Sequence, residues 1–360
     1  MTEKMYWYWF TSLLGLTRQK QGRLIDMAKS AKEFYVLKPE VAENYLNKKQ
    51  MEQFLKTRDL DKIQRSYERL EKEGIQYILN SEPSYPKKLL SISDFPYGIF
   101  RKGEEKASSL SIAIVGSRKP SMYGIEMAEY FAEYLSSRGI TVVSGLALGV
   151  DSRAHLGAVR GKGNTIGVLG CGINKIYPYS NQRLYQEVLN HGCIYSEYGL
   201  DVDPLAYHFP QRNRIISGLC DGVLVIEAKK KSGSLITVDC ALDQNKDVFA
   251  IPGNINNPLS QGCNHLIAQG AKLIEGPEDI LSEYPNYKIN RQDVSQFPKI
   301  GLDREEEMVY DTLSFVPRHM NEIFSKVNLS IPELYEVLFY LEKKGYITQT
   351  SRNYYIKKLL

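Results

Sequence analysis

Between residues 111 and 281 the chain repeats one pattern: a short, apolar, largely β-branched run, then glycine, then a stretch long enough for a helix. The strands this predicts are 111–115, 141–144, 165–169, 193–197, 222–227 and 247–251. The helices between and after them are 124–137, 152–160, 182–190, 211–219, 234–244 and 261–269. A strand with one wet face alternates apolar and polar positions. These runs are apolar throughout, so both faces are covered, which is the signature of a parallel sheet wrapped by helices. The expectation is an α/β fold with an extended, Rossmann-like, doubly wound and mostly parallel sheet. Ligands of such sheets sit beyond the carboxyl ends of the strands, so the loops there are where chemistry is sought.

The pattern changes on both sides of this core. Residues 1–80 mix Lys, Glu and Leu with little glycine, which predicts an N-terminal domain of short helices, of the helix-hairpin kind. Pro83, Pro86 and Pro96 with Gly98 and Gly103 then impose extended, turn-rich chain, so the central domain is placed at 81–284. A polar stretch without periodicity, 285–301, reads as a linker. Beyond it, 302–360 holds helical segments at 304–313, 320–327 and 334–344, the last preceded by a Ser330/Glu333 capping box with Pro332 in the first turn. A hairpin pattern over 345–356 follows, and three helices with a two-stranded wing resemble a winged helix.

Composition narrows the class. Three hundred and sixty residues predict two or three domains, and 43% hydrophobic with 24% charged residues suit a folded chain rather than a disordered or coiled-coil one. With 46 Lys+Arg against 42 Asp+Glu the net charge is only +4, so any surface for a polyanion must be local. Cys171, Cys193, Cys220, Cys240 and Cys263 form no C-x-x-C pair, which argues against a zinc ribbon or a thioredoxin site and suits a reducing cytoplasm. The five histidines have no metal-ligand spacing, and no apolar run reaches the roughly 20 residues that span a bilayer.

The loops after the strands hold the candidate chemistry. Gly116, Ser117 and Arg118 follow the first strand: glycine admits close approach, the hydroxyl and N–H groups bind phosphate oxygens, and Arg118 can grip a phosphate with two bonds. Taken alone, Arg118 reads equally well as a solvated residue after a turn glycine. Ser144 and Gly145 precede a second helix N-terminus, and Lys175 follows the third strand. Arg212, Asn213, Arg214 and Ser217 open the helix before the fifth strand, and Ser234 and Thr237 open the helix after it. Tyr177, Tyr207 and Phe209 are candidates for stacking a base, or equally for core packing. No G-x-G-x-x-G, G-x-x-x-x-G-K-[ST] or G-x-S-x-G occurs in the expected places, and no acid and base are paired for proton transfer. The edge suits a sugar-phosphate backbone.

Several of these segments carry a resemblance. Ala113-Ile-Val-Gly-Ser-Arg118, Val143-Ser-Gly-Leu-Ala-Leu-Gly-Val-Asp-Ser-Arg-Ala-His155, Gly170-Cys-Gly172 with Ile176-Tyr-Pro178, Phe209-Pro-Gln-Arg-Asn-Arg-Ile-Ile-Ser-Gly218, Ser232-Gly-Ser-Leu-Ile-Thr237 and Ala250-Ile-Pro-Gly253 resemble the DprA/Smf family of bacterial DNA-processing proteins, over residues 85–281. The resemblance implies binding of single-stranded DNA without sequence specificity, protection of the strand, and help in loading RecA recombinase during natural transformation and recombination. It also implies a homodimer through the Rossmann-like domain, no cofactor and no catalysed reaction. By motif the DNA-binding residues are Arg118, Lys175, Arg212, Asn213 and Arg214. The family's Asp-Pro-Pro reads Asp94-Phe95-Pro96 here. Two rivals stand beside it. A nucleotide phosphoribohydrolase-like enzyme would want P-G-G-x-G-T-x-x-E where this chain has Ser232 to Asp239, and a winged-helix regulator of duplex DNA would want Arg, Asn or Gln where 330–344 offers mostly Glu, Tyr and Leu.

Overall fold

Six helices fill the first 72 residues: α1 (Glu3–Thr11), α2 (Arg18–Ala28), α3 (Ala31–Val36), α4 (Pro39–Ala42), α5 (Lys48–Thr57) and α6 (Leu60–Lys72). Side-chain caps explain where several begin: Thr17, Ser30, Asn47 and Asp59 each accept a first-turn N–H. The computed structural model describes residues 2–106, 108–287, 302–314 and 317–357. Of the linker expected at 285–301, residues 288–301 lie outside the described residues.

Strands β1 (Ile75–Leu79) and β2 (Gly98–Gly103) come next, both missing from the expected set. The alternating core follows as β3 (Ser111–Val115), α7 (Met122–Ser137), β4 (Thr141–Ser144), α8 (Val150–Arg160), β5 (Thr165–Leu169), α9 (Gln182–His191), β6 (Gly192–Ser196), α10 (His208–Gly218), β7 (Gly222–Val225), α11 (Gly233–Asp243), β8 (Asp247–Ala250), α12 (Gln261–Ala268), β9 (Lys272–Leu273) and α13 (Pro277–Ser282). The six expected strands are present, three with the expected bounds and three with ends shifted by one or two residues. Strands β3, β4, β5 and β7 are buried at every position, as covered parallel strands must be.

The sheet has nine strands in the order β1-β2-β6-β5-β4-β3-β7-β8-β9. From β3 to β9 neighbouring pairs run parallel, while β1 with β2 and β2 with β6 are antiparallel. The chain winds outward from β3 through β4 and β5 to β6, then returns to β7 on the other side of β3. The reversal between β3 and β7 is the topological switch point, where a crevice opens above the carboxyl ends.

The domain boundary expected at residue 80 does not divide the structure. Residues Met1–Ile289 form one compact unit, and a single hydrophobic core joins Trp9, Phe10, Phe34 and Phe54 of the helices to Tyr77, Phe100, Leu169 and Ile194 of the sheet. The reason is size: six short helices present more aromatic surface than they can bury among themselves. Phe10, Phe34, Phe54 and Phe100 are fully buried, worth about 1.5–3 kcal/mol each as an upper estimate. Arg18 secures the join, its guanidinium 3.5 Å above the Tyr97 ring and its Nε donating to Phe95 O at 2.6 Å.

The second unit, from residue 290 onward, comprises α14 (Arg304–Thr312), β10 (Arg318–His319), α15 (Met320–Phe324), α16 (Ile331–Lys343), β11 (Ile347–Ser351) and β12 (Tyr354–Lys357). Its hairpin gains a third antiparallel strand, β10, beside β12. Val309, Ile323, Leu334, Leu338, Leu341 and Ile347 form its own core. Among the described residues no helix is long and apolar enough to cross a membrane.

Candidate functional site

A cleft of about 440 Å³ lies over the ends of β3 and β7, at the switch point. Its floor is backbone packed on backbone, which demands glycine. A Cβ on Gly116 would stand 2.8 Å from Val150 Cγ2, and one on Gly149, whose φ is +82°, would stand 2.3 Å from Ser117 O. With that space empty, Ser117 N donates to Glu227 O at 2.7 Å and Val150 N donates to Ser117 O at 3.1 Å, locking the β3 loop between β7 and α8. Ser117 lines the cleft. Arg118 projects outward, with its guanidinium 5.5 Å from the centre of the Phe209 ring and no ion pair among the described residues.

Helix α10 brings the next group. Arg212 is buried, and its Nη1 donates to Gly145 O at 2.8 Å and to Val168 O. Its Nε has no partner among the described residues although it is buried. Gly145 is required here, because a Cβ would lie 2.2 Å from that Nη1. Asp151, at the start of α8, is buried on the same side and accepts from Gly145 N at 3.1 Å. Burial pushes the Asp151 carboxyl above the usual range, opposed by the Arg212 guanidinium and by the N–H groups of Ala147 and Gly145. Asn213 donates to Gly233 O at 3.3 Å and so ties α10 to the start of α11. Ser234 and Thr237, on the first turns of α11, complete that wall.

Two cleft residues were not foreseen. Lys229 and Lys231 follow β7, are exposed, and line the cleft with no ion pair among the described residues. The signal was visible as three consecutive lysines, 229–231, directly after the fifth predicted strand. Arg118, Arg212, Lys229 and Lys231 thus face a single lining carboxylate, Asp151. Phe209 extends the surface: it closes a smaller hollow of about 60 Å³ with Gly145, Cys171 and Tyr177, and the Tyr177 and Phe209 rings are 5.6 Å apart. Tyr207 lines neither space and instead packs edge-on against His208.

Four expected residues do other work. Arg214 sits two positions after Arg212 and points to the opposite side of α10, where it donates to Glu197 Oε1 at 2.6 Å and to Asp94 O at 2.7 Å. Burial lowers the Arg214 pKa, but Glu197 and Asp94 outweigh it and hold the guanidinium above its ordinary value. It is a clamp between the Asp94 turn and the end of β6. Ser217 is fully buried and returns its hydroxyl to the carbonyls of Asn213 and Arg214 within the helix. Ser144 is buried and donates to Ile114 O at 2.7 Å, joining β4 to β3. Lys175 pairs with Asp203 and lines neither space.

The arrangement is chemically suited to an anion. Hydroxyls, two exposed lysines and a guanidinium without an ion pair beside an aromatic ring suit a phosphate chain with a planar group next to it. Among the described residues no three His, Cys, Asp or Glu side chains are grouped to hold a metal ion.

Comparison with known proteins gives the same direction. The family model of DNA recombination-mediator protein A matches residues 76–285. Protein Smf of Escherichia coli (strain K12) is 41% identical over 286 residues, covering 75% of this chain and 74% of its own. The X-ray structure of DNA processing protein A from Streptococcus pneumoniae superposes with a TM-score of 0.66 at 35% identity, over 79% of this chain and 98% of that one. A structure of DNA processing protein A from Helicobacter pylori, described for its single-stranded DNA binding mode, gives a TM-score of 0.54 at 32% identity, over 59% of this chain and 98% of that one.

Proposed function

The chain belongs to the DNA recombination-mediator protein A family, and from that premise and the cleft we propose that it binds single-stranded DNA through the sugar-phosphate backbone. It holds the strand without reading its sequence, shields it, and helps RecA recombinase onto it, acting as a homodimer through the sheet-containing unit. The observation that carries this reading is the row of Arg118, Lys229 and Lys231, unpaired among the described residues and set beside Phe209 at the switch point. Cations with no carboxylate partner supply affinity that is independent of sequence, and the ring offers a surface on which any base stacks. Arg212 rigidifies the floor beneath them.

Fluorescence anisotropy with labelled single- and double-stranded oligonucleotides across a salt series tests the reading. The three exposed cleft cations, Arg118, Lys229 and Lys231, give a slope of log affinity against log salt of about −2 for a single strand, since each neutralised phosphate contributes about 0.7. Arg118→Ala and Lys231→Ala should each flatten it by about 0.7 without lowering the melting temperature. Equal affinity for both variants and the parent protein would refute the cleft as the site. A strand-exchange assay with RecA on strands coated by a single-strand-binding protein tests the loading step, which should be faster in the presence of this protein.

A further inference from the structure

A second cavity, of about 400 Å³, lies in the helical region at the start of α2. Thr17, Lys20, Arg23, Asn44 and Tyr45 line it. Lys20 Nζ donates to Gln50 Oε1 at 2.5 Å, and Gln50 Nε2 donates to Gly15 O at 2.6 Å, so the first turn of α5 is fastened against the first turn of α2. The α5 turn adds Lys48 and Lys49, both exposed. Neither turn carries an acidic residue, and none of Lys20, Arg23, Lys48 and Lys49 makes an ion pair among the described residues. Arg18 does not take part, because its guanidinium is committed to Tyr97 and Phe95 O.

Lys20, Lys48 and Lys49 stand in the first turns of two helices, where carboxylates are the stabilising choice, and Arg23 follows three residues further along α2. Local rules are broken in this way where a ligand restores the balance. A multiply charged anion is the ligand that would do so. Tyr45 narrows its class: 44% of the residue is exposed, and its ring forms part of the wall beside the Asn44 amide. Cations next to an available aromatic face and an amide suit a nucleotide strand, whereas an acidic peptide would have no use for the ring.

We propose that this cavity is a second single-strand contact, holding backbone phosphate on Lys20 and Arg23 and stacking a base on Tyr45. It rests on the reading of the chain as a single-strand binder, and it would let a longer strand engage the protein at two places in one unit.

The test compares the full-length parent protein, Lys20→Gln/Arg23→Gln and Arg118→Ala on oligothymidylates of about 6 and about 40 nucleotides, lengths near the lower end of a typical single-site footprint and well above it. The double variant should bind the short strand as the parent does, and should lose about 1.4 from the salt slope on the long strand, two phosphates at about 0.7 each. Arg118→Ala should weaken both lengths. Arg23→Gln alone, at an exposed residue, controls for a folding defect and should lose about 0.7. A photoreactive 5-iodouracil strand of the longer length should crosslink to Tyr45, identified by peptide mass spectrometry. A double variant with the parent melting temperature and an unchanged slope on the long strand overturns the proposal. An effect of the double variant without one of Arg118→Ala would overturn the cleft and leave this contact standing. Absence of binding to either length by the parent protein overturns both.

Discussion

Arg212 and Arg214 are two residues apart in one motif, yet they serve opposite sides of α10, Arg212 beneath the cleft and Arg214 against Glu197. Replacing Arg214 by Ala removes the guanidinium that joins Glu197 Oε1 at 2.6 Å, Glu197 Oε2 at 2.5 Å and Asp94 O at 2.7 Å. Its side chain is 12% exposed and that of Glu197 is 22% exposed, so solvent screens the pair only weakly. Breaking such a pair leaves a partly buried carboxylate without its partner, which costs about 3–5 kcal/mol. For a unit of this size that lowers the melting temperature by roughly 5–8 °C. Differential scanning fluorimetry on the full chain reads this directly, and Glu197→Ala should fall in the same range. Arg214→Lys should be intermediate, because an ammonium cannot reproduce the planar two-bonded geometry. Below the lowered melting temperature, the salt slope for single-stranded DNA should stay as in the parent protein. An Arg214→Ala protein of unchanged melting temperature but flattened salt slope would refute the clamp and restore Arg214 to the DNA surface.

Two further outcomes follow from buried features. Gly149→Ala places a Cβ 2.3 Å from Ser117 O at a φ of +82°, so it should cost at least about 2 kcal/mol and displace Arg118, lowering melting temperature and DNA affinity together; a stable protein with normal binding would contradict the packing of the two loops. His155 is fully buried, with Nδ1 2.8 Å from Thr165 Oγ1, and burial first, then the Arg212 charge, lowers its pKa to about 3. Its unfolded value is near 6.5, so above that pH neither state binds the proton, and between about 6.5 and 3 only the unfolded chain does. Stability is therefore lost as pH falls through that window, by about 2 kcal/mol at pH 5 from this residue. In urea titrations at about pH 7.5 and pH 5, His155→Gln should lose less stability on acidification than the parent by that amount; equal losses would count against a neutral buried imidazole.

Much of the site was legible because its parts are local. A glycine followed by Ser117 and Arg118 at the end of an apolar strand needs no tertiary information to be singled out as a candidate phosphate loop. The separation of Arg212 from Arg214 was also available from the sequence, since residues two apart on a helix do not share a face. Lys229 and Lys231 required more. Their run is plain in the chain, but that it stands beside the Arg118 loop depends on β7 pairing with β3 across 106 residues of intervening sequence, from Val115 to Gly222. Strands β1 and β2 were missed for a similar reason. Each finds its partner only after 18 residues of proline-interrupted chain, and β1 directly follows α6 with no break in texture beyond Gly74.

By itself the sequence determined the alternation of covered strands and helices, the positions of the loops at their carboxyl ends, and the absence of nucleotide-binding glycine motifs, because these depend on periodicity and on residue types within a few positions. The tertiary structure alone decided which basic residues converge. Strand order brought Lys229 and Lys231 to Arg118, burial turned Arg214 and Ser217 into packing groups, and the core shared by Trp9, Phe34 and Phe100 merged the helical region with the sheet. Charge and chemistry are properties of single residues, but a binding surface is a property of which residues the long-range pairings leave exposed side by side.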